Sequence, residues 1–102
     1  MSKAVRASGY IYIKKGLELP DTSIIIRQIR TAYPDNDCYI ERERNNYNIV
    51  RIDLFGQNGI DYEPLEKILK DNKELLEEEV VINEWVENNN GGLYFNPEED
   101  ED

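Results

Sequence analysis

The stretch CYIERERNNYNIVRIDLF, residues 38–55, contains two strand patterns in succession with no helix pattern between them. Residues 38–44 alternate in polarity, and Asn45-Asn46 is a dipeptide that favours a two-residue hairpin turn. The residues that follow, up to Phe55, place apolar side chains at every second position, as a half-buried strand requires. These apolar side chains are Val50, Ile52 and Leu54. We therefore expect an antiparallel pair of strands here.

A helix pattern lies on each side of this strand pair. Upstream, Ile25 and Ile29 recur at helical spacing, and we expect Asp21 or Thr22 to be the N-cap of that helix. Downstream, we expect Asp61 to cap a second helix, whose apolar side chains recur with a period of about 3.6 residues. This second stripe consists of Leu65, Ile68, Leu69, Leu75 and Leu76.

Strand patterns also lie at both ends of the chain, at residues 10–13 and 80–86, and residues 93–95 are a candidate for a short returning strand. The resulting order, β-α-β-β-α-β, resembles the ferredoxin-like sandwich. We therefore expect an α+β fold with an antiparallel sheet, two helices on one face, and an optional extra C-terminal strand.

The length of 102 residues is enough for one domain and too short for two. We expect residues 1–96 to form this α+β domain. Residues 97–102 contain five acidic side chains after a proline, with no apolar anchor, and are expected to be a disordered acidic tail.

Charge is distributed unevenly along the chain, which has a net charge of −10. Residues 1–51 carry nine basic and six acidic residues, a net charge of +3. Residues 52–102 carry three basic and sixteen acidic residues, a net charge of −13. An acidic half of this kind repels nucleic acid and anionic membranes and attracts basic protein surfaces.

Groups that commonly perform catalysis are scarce in this sequence. The chain has no histidine, which excludes Cys–His and Ser–His nucleophile pairs and removes the commonest metal ligand. Its one cysteine, Cys38, is interpreted as a small buried apolar residue rather than a reactive thiol. Carboxylates at residues 77–79, Glu84 and Glu87 leave a small acid–base enzyme as the third hypothesis. We expect no metal, no cofactor and no enzymatic activity.

Strand alternation predicts that the face of the sheet away from the helices is rich in tyrosine. If Ile11 and Ile13 face the helices, their neighbours Tyr10 and Tyr12 face the open side. The predicted aromatic face comprises Tyr10, Tyr12, Tyr39, Tyr47, Arg51 and Trp85. Exposed aromatic clusters mark protein interfaces, including those between two copies of one chain, so a homodimer is one alternative. The other interpretations are a face that is simply wetted by solvent, or one that residues 93–95 cover.

The same face makes a nucleic-acid-binding module the second hypothesis, because aromatic side chains on such sheets stack on bases. Phosphate contacts would come from Lys14, Lys15, Arg42, Arg44 and Arg51. The net charge opposes this hypothesis, and residues 47–51 lack the glycine-and-aromatic signature of RNA-recognition modules. We therefore expect no direct binding to nucleic acid.

Carboxylates in the second half form a further candidate surface. The predicted acidic surface comprises Glu63, Glu66, Glu74, Glu77, Glu78, Glu84 and Glu87, most of them expected on the second helix. Carboxylates spaced along a helix resemble backbone phosphates, although charge runs also occur simply as solvated faces. The leading hypothesis is a non-enzymatic protein that inhibits or regulates a basic partner, such as a nucleic-acid-binding enzyme.

The longest aliphatic run is Ile24-Ile25-Ile26, so we expect neither a membrane span nor a membrane partner. With a single cysteine and no signal-peptide pattern, the expected location is cytoplasmic, or the cytoplasm of a host cell if the protein is phage-encoded.

Overall fold

The computed structural model describes residues 4–16, 19–34, 36–84 and 91–98, so most of the predicted acidic tail, residues 99–102, lies outside the described residues. Five strands and two α-helices occur in these ranges. The strands are β1 (Ala4–Tyr12), β2 (Cys38–Glu43), β3 (Asn46–Gln57), β4 (Val80–Glu84) and β5 (Gly92–Phe95). The helices are α1 (Leu19–Ala32) and α2 (Glu63–Asp71), and a 3₁₀ helix covers Lys73–Leu75.

The strands form one antiparallel sheet in the order β2-β3-β1-β4-β5. The expected α+β class, antiparallel sheet and two helices are therefore present. This arrangement is compatible with a ferredoxin-like fold, to which β5 adds a strand beside β4.

The core lies between the sheet and both helices, because alternate strand residues point to the helix side. Ile11 of β1 and Ile52 of β3 are fully buried there, together with Ile25 of α1 and Leu65 of α2. Cys38 also points to this side and is partly buried against the core. Burial raises the pKa of its thiol to about 11, although the nearby Arg30 opposes that rise.

Both helices differ from the expected boundaries. α1 begins at Leu19, so Asp21 and Thr22 lie within the helix and neither is its N-cap. α2 ends at Asp71, and the predicted single stripe from residue 65 to residue 76 is divided between α2, the 3₁₀ helix and an extended segment. The N-cap of α2 is Tyr62 rather than the predicted Asp61, although Asp61 Oδ1 accepts a hydrogen bond from the N–H of Glu63 at 3.1 Å.

The last strand, β5, extends the sheet at its edge and does not cover the open face. Leu93 of β5 pairs with Ile82 of β4 and points to the core, whereas Tyr94 pairs with Val81 on the open side. The interpretation in which residues 93–95 fold over the tyrosines is therefore wrong. Strand propensity made residues 93–95 recognisable as a strand, but their pairing partner depended on the tertiary fold.

Within the described ranges, the structure contains no helix that is both long enough and apolar enough to cross a membrane.

Candidate functional site

The segment that follows the 3₁₀ helix brings an acidic run beside the end of β1. Leu76 forms an antiparallel bridge with Ile13, and the N–H of Glu77 donates to the carbonyl oxygen of Tyr12 at 2.8 Å. The N–H of Lys14 donates to the carbonyl oxygen of Leu75 at 2.9 Å. Because α2 stops early, the next three glutamates lie at the sheet rather than on a helix surface.

The result is a groove of about 470 Å³ on the open side of the sheet. It is lined by Tyr10, Tyr12, Glu77, Glu78, Glu79, Val81, Asn96, Pro97 and Glu98. The rings of Tyr10 and Tyr12 are 6.5 Å apart between centroids and tilted by 38°. Two aromatic rings therefore lie among four carboxylates.

These carboxylates are exposed to solvent. The structure records no ion pair of Glu77, Glu78, Glu79 or Glu98 with a basic side chain anywhere in the described ranges. The hydroxyl of Tyr94 donates to Glu79 Oε2 at 2.7 Å, which holds that carboxylate at the groove. The groove is therefore a site of concentrated negative potential beside aromatic surface.

A second concavity, of about 400 Å³, continues from the groove toward the β2–β3 hairpin. Tyr12, Glu77 and Glu78 line both concavities, and Lys15 and Asn48 line the second one. Tyr12 and the two glutamates thus lie at the centre of an elongated depression.

Three further residues of the predicted aromatic face, Tyr39, Tyr47 and Arg51, do not line the groove. Tyr39 lies on the edge strand β2, and Tyr47 lies at the start of β3, 61% exposed. Arg51 is the direct partner of Tyr10 across β1 and β3. Trp85 lies outside the described residues.

Arg51 belongs to a cluster that the sequence did not predict. Asp53 is buried, 3% exposed, although it points to the open side of the sheet. Its Oδ1 accepts a hydrogen bond from Arg6 Nη2 at 3.3 Å, and its Oδ2 accepts one from Arg51 Nε at 3.1 Å. Asp53 raises the pKa of Arg51, mainly through charge attraction and also through this hydrogen bond. The Arg6 guanidinium also lies 5.8 Å from the centroid of the Phe55 ring.

The predicted acidic residues are divided between two sides of the molecule. Glu77 and Glu78 lie at the groove, whereas Glu63 and Glu66 lie on α2, on the helix side of the sheet. Glu74 is exposed on the 3₁₀ helix. The expectation that most of these residues share one helix is therefore wrong, since that helix ends at residue 71.

Glu84 is half-buried near the end of β4, where it accepts a hydrogen bond from the Tyr62 hydroxyl at 2.7 Å. Burial, followed by this hydrogen bond, raises the pKa of Tyr62. Glu84 thus holds Tyr62 in place on the helix side, away from the groove. Glu87 lies outside the described residues.

Five of the nine groove residues were missing from the predicted binding surfaces: Glu79, Val81, Asn96, Pro97 and Glu98. Glu79 follows directly on Glu78, and alternation within β4 places Val81 on the open face, so both were accessible to sequence reasoning. Asn96, Pro97 and Glu98 follow β5, and they reach the groove because β5 pairs with β4.

The part of the chain that the structure describes has no group of three or more Cys, Asp or Glu side chains placed to hold a metal ion. Comparisons of the chain with protein-family models, with curated protein sequences and with solved structures gave no match, so function is inferred from this geometry.

Proposed function

We propose that this protein is a non-enzymatic binding protein that docks onto a basic surface of a partner protein and thereby inhibits or regulates it. The observation that carries the proposal is the groove itself, in which Glu77, Glu78, Glu79 and Glu98 lie beside Tyr10 and Tyr12, and no basic side chain of the described residues lines it.

Each part of the groove suits a lysine or arginine side chain of a partner. Carboxylates attract the charged group, and an aromatic ring binds a cation over its face. Val81 and Tyr10, which is 41% exposed, offer apolar surface to the aliphatic part of such a side chain. Tyrosine contributes strongly to protein interfaces because it combines a large rigid ring with a polar end.

The geometry of the groove gives less support to the hypothesis of an acid–base enzyme. A catalytic carboxylate normally needs an environment that shields it from water. Glu77, Glu78 and Glu79 are all exposed.

The proposal includes the kind of partner and the setting. The proposed partner is a protein with a basic nucleic-acid-binding surface, such as a nucleic-acid enzyme. Docking of this chain onto that surface would prevent nucleic acid from binding there. The proposed fold is a ferredoxin-like sandwich whose sheet is extended by β5. The proposed location is the cytoplasm, or the cytoplasm of a host cell if the protein is phage-encoded.

A binding experiment with two variants of equal charge tests the proposal. The probe is a lysine-rich peptide of about twelve residues, long enough when extended to cross the whole sheet. One variant carries Glu77→Gln, Glu78→Gln and Glu79→Gln at the groove. The matched control carries Glu63→Gln, Glu66→Gln and Glu74→Gln, which removes the same charge from the helix side.

We expect the groove variant to lose at least about tenfold in affinity and the control less than about threefold, because exposed charges act over about one Debye length. Wild-type binding should also weaken steeply as salt rises. Equal losses in both variants would mean that net charge rather than the groove attracts the peptide, and would contradict the proposal.

A further inference from the structure

The Arg6–Asp53–Arg51 cluster contains a buried carboxylate on the open face of the sheet, a feature that strand pairing alone does not explain. Carboxylates are rarely buried on the solvent side of a sheet, because desolvation is costly unless both oxygens are satisfied. Here each oxygen of Asp53 accepts from one guanidinium, so one carboxylate orients two arginines.

The two arginines keep unused hydrogen-bonding capacity. Their side chains are 53% and 42% exposed, and a guanidinium has five N–H donors. With one carboxylate between two cations, the three side chains together carry a net charge of +1, and Glu41 of β2 lies beside them as the cross-strand partner of Arg51. The cluster is therefore a preorganised site for an oxyanion group, since Arg binds carboxylate and phosphate through paired N–H donors.

The position of this cluster relative to the groove can be read from the strand register. Arg51 and Val81 both pair with Tyr10, from opposite sides, and are therefore about 10 Å apart. Glu79 precedes Val81 by two residues, which brings its distance from Arg51 to about 12 Å. An extended segment of about four residues spans this distance.

The oxyanion could come from a nucleic-acid phosphate or from a protein carboxylate, and the acidic groove repels these two ligands to different extents. A nucleic-acid backbone carries a negative charge at every step, so a strand bound at Arg51 would meet Glu77, Glu78 and Glu79 at its next phosphates. A protein surface can carry charges of both signs, so a segment bound at Arg51 can place a basic side chain at these glutamates. The geometry favours a protein carboxylate.

We propose that Arg6 and Arg51 form a second subsite that binds an acidic side chain of the partner protein. This inference rests on the proposed function, because the same partner places a basic side chain in the groove. The open face thus recognises two opposite charges in a defined order, which determines the orientation of the partner.

Two peptides distinguish this arrangement from general attraction. The first is the lysine-rich peptide used above. The second has the same sequence followed, after a spacer of about four residues, by two glutamates. Net charge predicts weaker binding of the second peptide to this acidic protein, whereas the second subsite predicts binding at least about threefold tighter.

The variants Arg51→Gln and Arg6→Gln identify the residues responsible. In each, we expect the second peptide to lose its advantage while the first binds as it does to the wild type. Measuring both variants guards against a folding defect in one of them, and their thermal unfolding is recorded beside the wild type.

If the first peptide binds and the second binds more weakly to the wild type, the second subsite is wrong while the proposed function stands. Failure of both peptides to bind overturns both. A single-stranded thymidine oligonucleotide that binds more tightly than either peptide, and loses affinity in Arg51→Gln, would overturn the assignment to a carboxylate.

Discussion

The hydroxyl of Tyr33 accepts a hydrogen bond from the backbone N–H of Leu65 at 3.1 Å, and it donates one to the carbonyl oxygen of Asp61 at 2.7 Å. Tyr33 follows α1, and Leu65 lies in the first turn of α2, where a backbone N–H has no partner within its own helix. The side chain that directly follows one helix thus caps the other.

Replacement of Tyr33 by phenylalanine should destabilise the protein by about 1–3 kcal/mol, because it leaves a buried amide and a carbonyl without their partner. The free energy of unfolding in urea checks this. Tyr47→Phe is the matched control, since that side chain is exposed, and should change stability by less than about 0.5 kcal/mol. Equal effects would mean that the Tyr33 hydroxyl contributes nothing.

Stability should fall at alkaline pH. Burial raises the pKa of Tyr33 from 10.0 to about 12 and that of Cys38 from 9.0 to about 11. The unfolded chain then releases these protons at lower pH than the folded chain. These two groups therefore contribute a constant stabilisation below about pH 9, and stability declines between pH 9 and 12. Urea unfolding across this range checks the window, and Cys38→Ala should flatten its lower part. A stability that rises with pH here would contradict the shifts.

Gly9 is required where β1 contacts β4. A Cβ at this position would overlap the carbonyl oxygen of Val81 and lie 2.7 Å from Ile82 Cδ1. Gly9→Ala should therefore cost at least about 2 kcal/mol, because one strand must move. Gly16 is the comparison, since its φ is +87° and a Cβ there would meet no atom within 4 Å, and Gly16→Ala should cost about 1 kcal/mol of backbone strain. A tolerated Gly9→Ala in thermal unfolding would show that the β1–β4 pairing is looser than described.

Asp53→Asn should destabilise the protein by about 1–3 kcal/mol, since the buried charge between Arg6 and Arg51 is lost while the two cations remain. The exposed Asp37 supplies the control, and Asp37→Asn should change stability by less than about 0.5 kcal/mol. Chemical denaturation at moderate salt measures both. An Asp53→Asn variant as stable as the wild type would mean that solvent already screens the attraction of Asp53 to Arg6 and Arg51.

Deletion of residues 97–102 should change the melting temperature by less than about 2 °C and changes the net charge from −10 to −5. Because Glu98 lines the groove, the same deletion should weaken binding of the lysine-rich peptide, most strongly at low salt. If the tail instead screens the basic strands, deletion should raise affinity for nucleic acid. A large loss of thermal stability would contradict both and show that the segment is packed structure.

Periodicity alone predicted the elements of this fold well. The hairpin of residues 38–55, the buried positions Val50, Ile52 and Leu54, and both helices follow from apolar side chains at periods of two and of about 3.6. Alternation also placed Tyr10 and Tyr12 on the open face, because successive strand side chains point to opposite sides.

Element ends and partnerships depended on tertiary structure. The apolar stripe reaches Leu76, yet α2 stops at Asp71. A 3₁₀ helix follows at Lys73–Leu75, and Leu76 is extended and forms a bridge with Ile13 of the neighbouring segment. Because the helix ends early, Glu77 and Glu78 lie at the groove rather than on the helix surface where they were predicted.

The sequence by itself determined the two faces of the sheet, the acidic character of the second half and the scarcity of catalytic groups. Only the tertiary structure decided that the acidic run lies against the tyrosines and that Arg6 reaches Asp53 beside Arg51. The physical reason is that local periodicity acts over a few residues, whereas these contacts join residues 47 or more positions apart through strand pairing.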